Sequence, residues 1–389
     1  MGTRNLLSGM LLAWGFCLTG GGAVTVAQET FDHVYRVADL DRDQGLAAAW
    51  SAGDSSDVQI LSPGIDACAE CTQCDSQGCD GCCATQECRS PWWAHRSGLF
   101  GEFLYLRPGD SDIVYSIEQN DTTVNAFPTG PLGIAAIDAS PGYRVGFSLA
   151  SSQTSSLVAS YTHWDGNTQD RLVRNNANVL NSQIIHPSTF TTGGNSLQSS
   201  AATSIEFDLI DAVYRHKLIC TDTTIFNWSG GFRYGTIEQS LLAQQEISVA
   251  TGLVTVDTDV DFNGFGILLG CDAERRSCQS GMLCYSKGAA SFLGGEWTGD
   301  YRQSNQFTGG IVANQYEDFR ISPVLETELG IGWQSESGCV RATAGYMASW
   351  WCNAVSTREY VDGVRRGNYL EIDDTIAFIG LTTRLEVRY

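Results

Sequence analysis

The stretch TIAFIGLTTRLEVRY, residues 375–389, alternates with period two over its whole length. Ala377, Ile379, Leu381, Thr383, Leu385, Val387 and Tyr389 share one face, while Arg384, Glu386 and Arg388 share the other. Successive side chains of a strand point to opposite faces, so this segment has one apolar and one charged side. A membrane-crossing strand needs about 9–11 residues with lipid-facing and lumen-facing side chains in alternation, and the run is long enough. A soluble strand with one buried face shows the same period, but it rarely runs so far or finishes on its apolar phase.

The composition agrees with a large core or a lipid-facing surface. Of 389 residues 43% are apolar and only 17% charged, with 42 Gly and 8 Pro, too apolar for disorder and light in charge for a soluble enzyme. No run of about 18 apolar residues follows the N-terminal segment, so membrane residence has to be through strands. The net charge of −21 excludes nucleic acid as a partner, because a phosphate binder needs a clustered basic footprint.

The N-terminus reads as an export signal. Arg4 supplies a basic start, Leu6 to Leu18 an apolar run, and Thr25 and Ala27 a small-residue cleavage site, with cleavage expected after Ala27. Cys17 follows Trp14, Gly15 and Phe16 rather than the small residues that precede a lipidated cysteine. Residues 28–96 then form a segment of different character. It carries a cluster at Cys68, Cys71, Cys74, Cys79, Cys82, Cys83 and Cys88.

From residue 97 onward the chain divides into ten strand-like runs: 99–107, 142–150, 155–165, 204–214, 223–237, 256–269, 281–293, 318–333, 340–351 and 375–389. Two of them alternate clearly, Tyr143, Val145, Phe147 and Leu149 against Arg144, Gly146 and Ser148, and Phe319, Ile321, Leu325, Leu329, Ile331 and Trp333 against Glu326, Glu328 and Gly330. The runs 204–214 and 281–293 have mixed faces. Long and short connections alternate without exception: 108–141, 166–203, 238–255, 294–317 and 352–374 are long, and those between them are short. Outer-membrane barrels sort their loops this way, long outside and short on the periplasmic side, whereas a soluble sandwich has no reason to. The expected fold is therefore all-β, an antiparallel transmembrane β-barrel of about ten strands, or twelve if the longest loops hide a hairpin. An even count returns both ends to the periplasm, which places the cysteine-rich segment there. Tyr105, Tyr143, Tyr161, Tyr234, Phe319 and Trp350 are then expected at the outer rim, with Trp333 and Tyr389 at the periplasmic one.

Several motifs in this order resemble the Legionella-type pore-forming major outer-membrane protein family. They are Glu102-Phe103-Leu104-Tyr105-Leu106-Arg107-Pro108, Gly142-Tyr143-Arg144-Val145-Gly146-Phe147, Tyr161-Thr162-His163-Trp164 and Gly231-Phe232-Arg233-Tyr234. Asp261-Phe262-Asn263-Gly264-Phe265-Gly266 and Lys287-Gly288-Ala289-Ala290-Ser291 continue the series. The resemblance spans 99–389 and not the cysteine-rich segment. It implies a transmembrane barrel with pore activity and brings no catalytic residues. In proteins of this kind the barrel assembly machinery looks for a terminal aromatic, which gives Tyr389 that role.

The inward faces are expected to carry Glu102, Arg144, Glu206, Asp208, Arg233, Glu326, Glu328, Arg341, Arg384 and Glu386. Charges of both signs either line an aqueous pore or pair into a network that fills a narrow lumen. Asp259, Asp261, Asn263 and Gly264 match the first half of a calcium loop, but Gly270 stands where a bidentate Glu is required; no metal or other cofactor is expected there. An exported chain favours disulfides over metal for the cysteines. Cys220, Cys271, Cys278 and Cys339 lie in or beside short turns, and Cys271 with Cys278 is the best candidate pair. Of 14 cysteines, Cys17 falls in the export signal, which leaves an odd number and therefore a free thiol or a bridge to an envelope protein or a second copy.

Three function classes follow. The leading one is a passive, porin-like pore for small polar solutes or ions, in contact with outer-membrane lipid. The second is a non-conducting structural or adhesive barrel that displays long loops. The third is an outer-membrane hydrolase built on His163 beside Asp165, for which spacing assigns no serine nucleophile, so the chain is expected not to be an enzyme.

Overall fold

The computed structural model describes residues 95–389, apart from 123–125, 176–177, 190–194, 222, 249–251, 278–279, 307–308 and 370–371. The export signal, the cysteine cluster and Cys278 lie outside the described residues.

Fourteen strands are described: β1 (Gly98–Gly109), β2 (Ile113–Gln119), β3 (Pro128–Ala135), β4 (Ser140–Ser152), β5 (Ser155–Val173), β6 (Val179–Ser182), β7 (Asn195–Ser196), β8 (Gln198–Cys220), β9 (Thr224–Ser248), β10 (Gly252–Arg276), β11 (Met282–Asn305), β12 (Gly309–Gln334), β13 (Val340–Ala354) and β14 (Asp374–Arg388). Helix α1 (Thr357–Arg366) precedes the last strand. Ten strands close into one antiparallel barrel in the order β1, β14, β13, β12, β11, β10, β9, β8, β5, β4. The first and last strands complete the ring, with Leu99 opposite Val387 and Glu102 opposite Arg384. Closure leaves no unpaired edge, which is what lets strands exist in hydrocarbon. Among the described residues no helix is long and apolar enough to cross a membrane.

Both chain ends of the barrel and the short β4–β5, β8–β9, β10–β11 and β12–β13 connections lie at one end, here termed the terminus end. At the opposite, loop end, two of the five connections expected to be long are short instead, β9–β10 and β11–β12. Strands β9 and β10 have 25 residues each, β11 has 24 and β12 has 26, more than twice what a membrane requires. Of the stretches 238–255 and 294–317, residues 238–248, 252–255, 294–305 and 309–317 are strand, not loop. In β10 the alternation persists through Val254, Val256 and Val260 on the buried face, while the outer face changes from Phe265, Ile267 and Leu269 to Asp257, Asp259 and Asp261. An outer face that turns acidic hides a strand from a search for lipid-facing residues, yet pairing continues because the inner face stays apolar. The Asp259–Gly264 stretch is part of this straight strand and forms no calcium loop.

The connections after β1, β5 and β13 do carry long segments. The first two contribute a small sheet in the order β3, β2, β6, β7. The third contributes α1, where Ser356 accepts a hydrogen bond from the Glu359 backbone N–H and Gly367 closes the end at φ 63°. Ser at the N-cap followed three residues later by Glu is the sequence pattern of a capping box, of which the serine bond is formed, and the left-handed closing residue favours glycine. Tyr360, Val361 and Val364 of α1 are buried, and the Tyr360 hydroxyl donates to the carbonyl of Gly299 at 2.9 Å. The helix therefore packs against the upper part of β11.

Candidate functional site: the barrel interior

Along β14, β8 and β10 the interior changes character from the loop end to the terminus end. Phe378 gives way to Arg384, Glu386 and Arg388; Phe207 and Leu209 give way to Asp211 and Arg215; and Phe262 gives way to Asp272 and Glu274. Strand β13, which runs the other way, begins with Arg341 and ends at Trp351. The lumen is thus charged near the terminus end and apolar near the loop end.

The charged half consists of ion pairs, some between neighbouring strands, some within β14 and some reaching across the ring. Glu102 on β1 meets Arg144 on β4 at 3.2 Å and Arg384 on β14 at 3.9 Å, and the Arg384 guanidinium also lies 3.6 Å from the centre of the Phe100 ring. Arg233 pairs with Asp211 at 2.7 Å and with Glu326 at 2.7 Å. Lys287 pairs with Glu328 at 3.0 Å, which also accepts a hydrogen bond from the Tyr285 hydroxyl at 2.6 Å. Arg215 pairs with Asp272 and, at 3.4 Å, with Glu274, which holds Arg341 at 2.9 Å. Glu386 takes Arg388 at 2.9 Å and Arg384 at 3.5 Å. Charges removed from bulk water persist only when paired and hydrogen-bonded, and these side chains satisfy one another across the ring. They enclose a cavity of about 230 Å³ lined in part by Arg144, Arg233, Lys287, Glu326 and Arg384.

The apolar half is a layer of touching aromatic rings. Trp164 on β5 lies 5.2 Å from Phe378 on β14, and Phe378 lies 4.7 Å from Phe207 on β8. Phe207 lies 6.5 Å from Trp351 on β13, which is 6.2 Å from Phe262 on β10, itself 4.7 Å from Trp297 on β11. The pairs Trp164–Phe378, Phe207–Trp351 and Phe262–Trp351 join strands that are not neighbours in the ring, so the rings meet across the bore. All six are at most 4% exposed. Gly264 and Gly295 stand opposite each other beneath the Phe262 ring, and a Cβ at Gly264 would sit 2.4 Å from it. The loop end above this layer is tied down as well, since the Tyr301 hydroxyl donates to the Ile184 carbonyl at 2.9 Å and Gln239 donates to the Val355 carbonyl at 2.8 Å.

Eight of the ten residues expected on the inner face point inward: Glu102, Arg144, Arg233, Glu326, Glu328, Arg341, Arg384 and Glu386. Glu206 and Asp208 point outward. In β8 the buried residues are Ile205, Phe207, Leu209 and Asp211, whereas Ile210 and Tyr214 are exposed. This strand carries apolar residues on both faces, and its apolar positions near the loop end belong to the aromatic layer rather than to lipid. Asp211, Arg215, Asp272, Glu274 and Lys287 are inward residues that the sequence reading missed, and Arg388, placed on the charged face of its strand, was left out of the expected lumen residues. Asp272 and Glu274 were legible had β10 been extended past Leu269 in the same phase. Arg388 sat in the quoted stretch beside its partner Glu386.

On the outer surface Tyr105, Tyr143, Phe319, Trp333 and Tyr389 are exposed, and Tyr161, Tyr234 and Trp350 are half-buried but face the same way. The expected Cys271–Cys278 pair is not formed, because the Cys271 thiol is free. Strand β10 continues to Arg276, and at about 3.3 Å per residue this carries Cys271 roughly 15 Å from the turn, beyond the Cα separation of about 7 Å that a disulfide spans. Cys220 is disulfide-bonded instead.

Residues 90–384 match the model of the Legionella pneumophila major outer membrane protein precursor family. The chain belongs to this family. The match covers the whole barrel from β1 to most of β14, in agreement with the motif resemblance, and fixes this Legionella-family member as an outer-membrane barrel. No curated protein matches the chain. Among solved structures, the outer membrane protease OmpT from Escherichia coli is similar over 76% of this chain and 97% of its own, at 9% identity and a TM-score of 0.43. The Pseudomonas putida toluene transporter TodX covers 76% and 90% at 8% identity and a TM-score of 0.27. A Pseudomonas aeruginosa FadL homologue gives the same coverage at 8% identity and a TM-score of 0.23.

Proposed function

We propose that this barrel is a structural component of the outer membrane that is closed at rest and displays its loop end to the exterior. The observation that supports it is the layer of six aromatic rings, at most 4% exposed, that meet across the bore. Ten strands leave an interior only slightly wider than the eight-stranded barrels that side chains fill, and here aromatic side chains fill its loop half. The reading assigns the chain no catalysis. Its terminus end faces the periplasm, where residues 28–96 and their cysteines would meet an envelope protein or a second copy. Outer-membrane lipid surrounds the apolar band, and Tyr389 serves as the assembly signal.

A second reading, a porin-like pore for small polar solutes or ions, draws on the charged half. A cavity of about 230 Å³ between side chains of both signs is suited to water and ions, and displacement of the aromatic layer would join it to the loop end. Planar-bilayer recording of the full-length refolded protein separates the two. The closed barrel gives a silent wild type and discrete steps only when Phe207→Ala and Trp351→Ala are combined. Discrete conductance from the wild type would overturn it in favour of the pore.

A further inference from the structure

The two residues that β8 turns outward, Glu206 and Asp208, lie beside His163 of β5. Opposite partners in the β5–β8 ladder are His163 with Asp208 and Asp165 with Glu206. The His163 Nδ1 is 3.0 Å from Asp208 Oδ1 and 3.7 Å from Glu206 Oε1. Among the described residues, these are the three side chains whose ligand atoms gather within 4.8 Å of one another in the manner of a metal site. The geometry points to a zinc-class divalent cation site on the outer wall of the barrel, held by His163 Nδ1, Glu206 and Asp208.

Metal–ligand bonds of about 2.0–2.2 Å at tetrahedral angles put neighbouring ligand atoms about 3.3 Å apart, and the distances of 3.0 and 3.7 Å bracket that value. Imidazole with two carboxylates suits zinc and its neighbours among the first-row metals, whereas calcium takes six or more oxygens. A second feature is the surrounding support. Metal-bound histidines and carboxylates are normally oriented by outer partners. Here the Tyr161 hydroxyl donates to Asp208 Oδ1 at 2.7 Å, and Asp165 Oδ1 faces the other ring nitrogen, Nε2, at 3.7 Å. The cation would replace the Nδ1 proton, which passes to solvent, and leave Nε2–H directed at Asp165. Three protein ligands leave a fourth position to water.

The position suits access. His163 and Asp208 follow Tyr161 and Ile210 toward the loop end, where the outer face turns from apolar to acidic, and all three ligands are partly exposed. Asp165 and Glu206 continue in register to Glu238 and Asp261, and among the described ion pairs no Lys or Arg meets any of these four. Their field draws cations to this wall. A bound ion would staple β5 to β8 below the segment that carries β6 and β7.

The experiment is titration of zinc into the full-length refolded chain in detergent, stripped with chelator and with its thiols alkylated so that the cysteines cannot compete. One equivalent should bind, with an accompanying rise in the temperature of the heat-modifiable transition. His163→Ala and Glu206→Gln should each remove both signals, and Tyr161→Phe should weaken binding about tenfold. Absence of binding to the wild type would overturn the site. So would undiminished binding to His163→Ala, or calcium binding as tight as zinc, since either would reduce the cluster to a non-specific acidic surface.

Discussion

Arg233 on β9 and Asp211 on β8 stand directly opposite each other in the ladder and share two hydrogen bonds, of 2.7 and 3.0 Å, inside the barrel. The guanidinium is 3% exposed and also holds Glu326. Removal of one partner strands a buried charge, which costs about 3–5 kcal/mol. Asp211→Ala should therefore lower unfolding stability in detergent by that order, while Asp211→Ala combined with Arg233→Met should recover part of the loss. Equal losses in the single and double variants would show that the pair does not act as a unit.

The packing beneath Phe262 makes Gly264 sensitive to a single methyl group. A Cβ at this position would sit 2.4 Å from Phe262 Cζ, and overpacking of a filled core costs about 1–3 kcal/mol. Gly264→Ala should shift the midpoint of urea unfolding downward, and Phe262→Leu in the same chain should relieve part of it. A midpoint equal to wild type would mean that the aromatic layer has slack.

Helix α1 depends on the serine that caps its N-terminus. Ser356 accepts from the Glu359 N–H at 3.3 Å and also donates to Asp374 at 2.6 Å. Ser356→Ala should cost about 1 kcal/mol and speed amide exchange in 357–366 while exchange in β8 and β10 stays as it is. Uniform acceleration through the barrel would contradict a local cap.

Thiol mapping checks the cysteine assignment. Alkylation under non-reducing conditions followed by mass mapping should find Cys271, Cys284, Cys339 and Cys352 modified and Cys220 protected. A Cys271–Cys278 peptide pair would restore the pairing expected from the turn.

Tyr389 is 77% exposed on the outer face, and its backbone N–H donates to the Ser97 carbonyl at 2.9 Å, across the seam where β1 meets β14. Deletion of Tyr389 should reduce the heat-modifiable barrel recovered from the membrane and leave export unchanged. Unaltered barrel levels would remove its assembly role.

Much of this molecule is readable from residue order because a strand side chain has only two directions to point. The alternation in 375–389 placed Arg384 and Glu386 inside, and Leu381, Leu385 and Tyr389 outside, as the structure has them. The number of barrel strands was legible for the same reason. Helix α1 was legible too, through Ser356, Glu359 and Gly367, but it lay in a stretch read as loop.

Where both faces carry apolar residues, period two identifies a strand without saying which face is the lumen. Strand β8 shows the limit: Ile205, Phe207 and Leu209 look like a lipid face, and the acidic Glu206 and Asp208 between them look like a lumen face. The sequence by itself determined the fold class, the family motifs and the faces of the clearly alternating strands, since those depend on local periodicity. Only the tertiary structure decided that the loop half of the lumen is a dry aromatic layer, that Glu206 and Asp208 join His163 on the outer wall, and that Cys271 stands apart from the turn. Each of these depends on which residues register and closure bring opposite one another, and strands far apart in the chain settle that together.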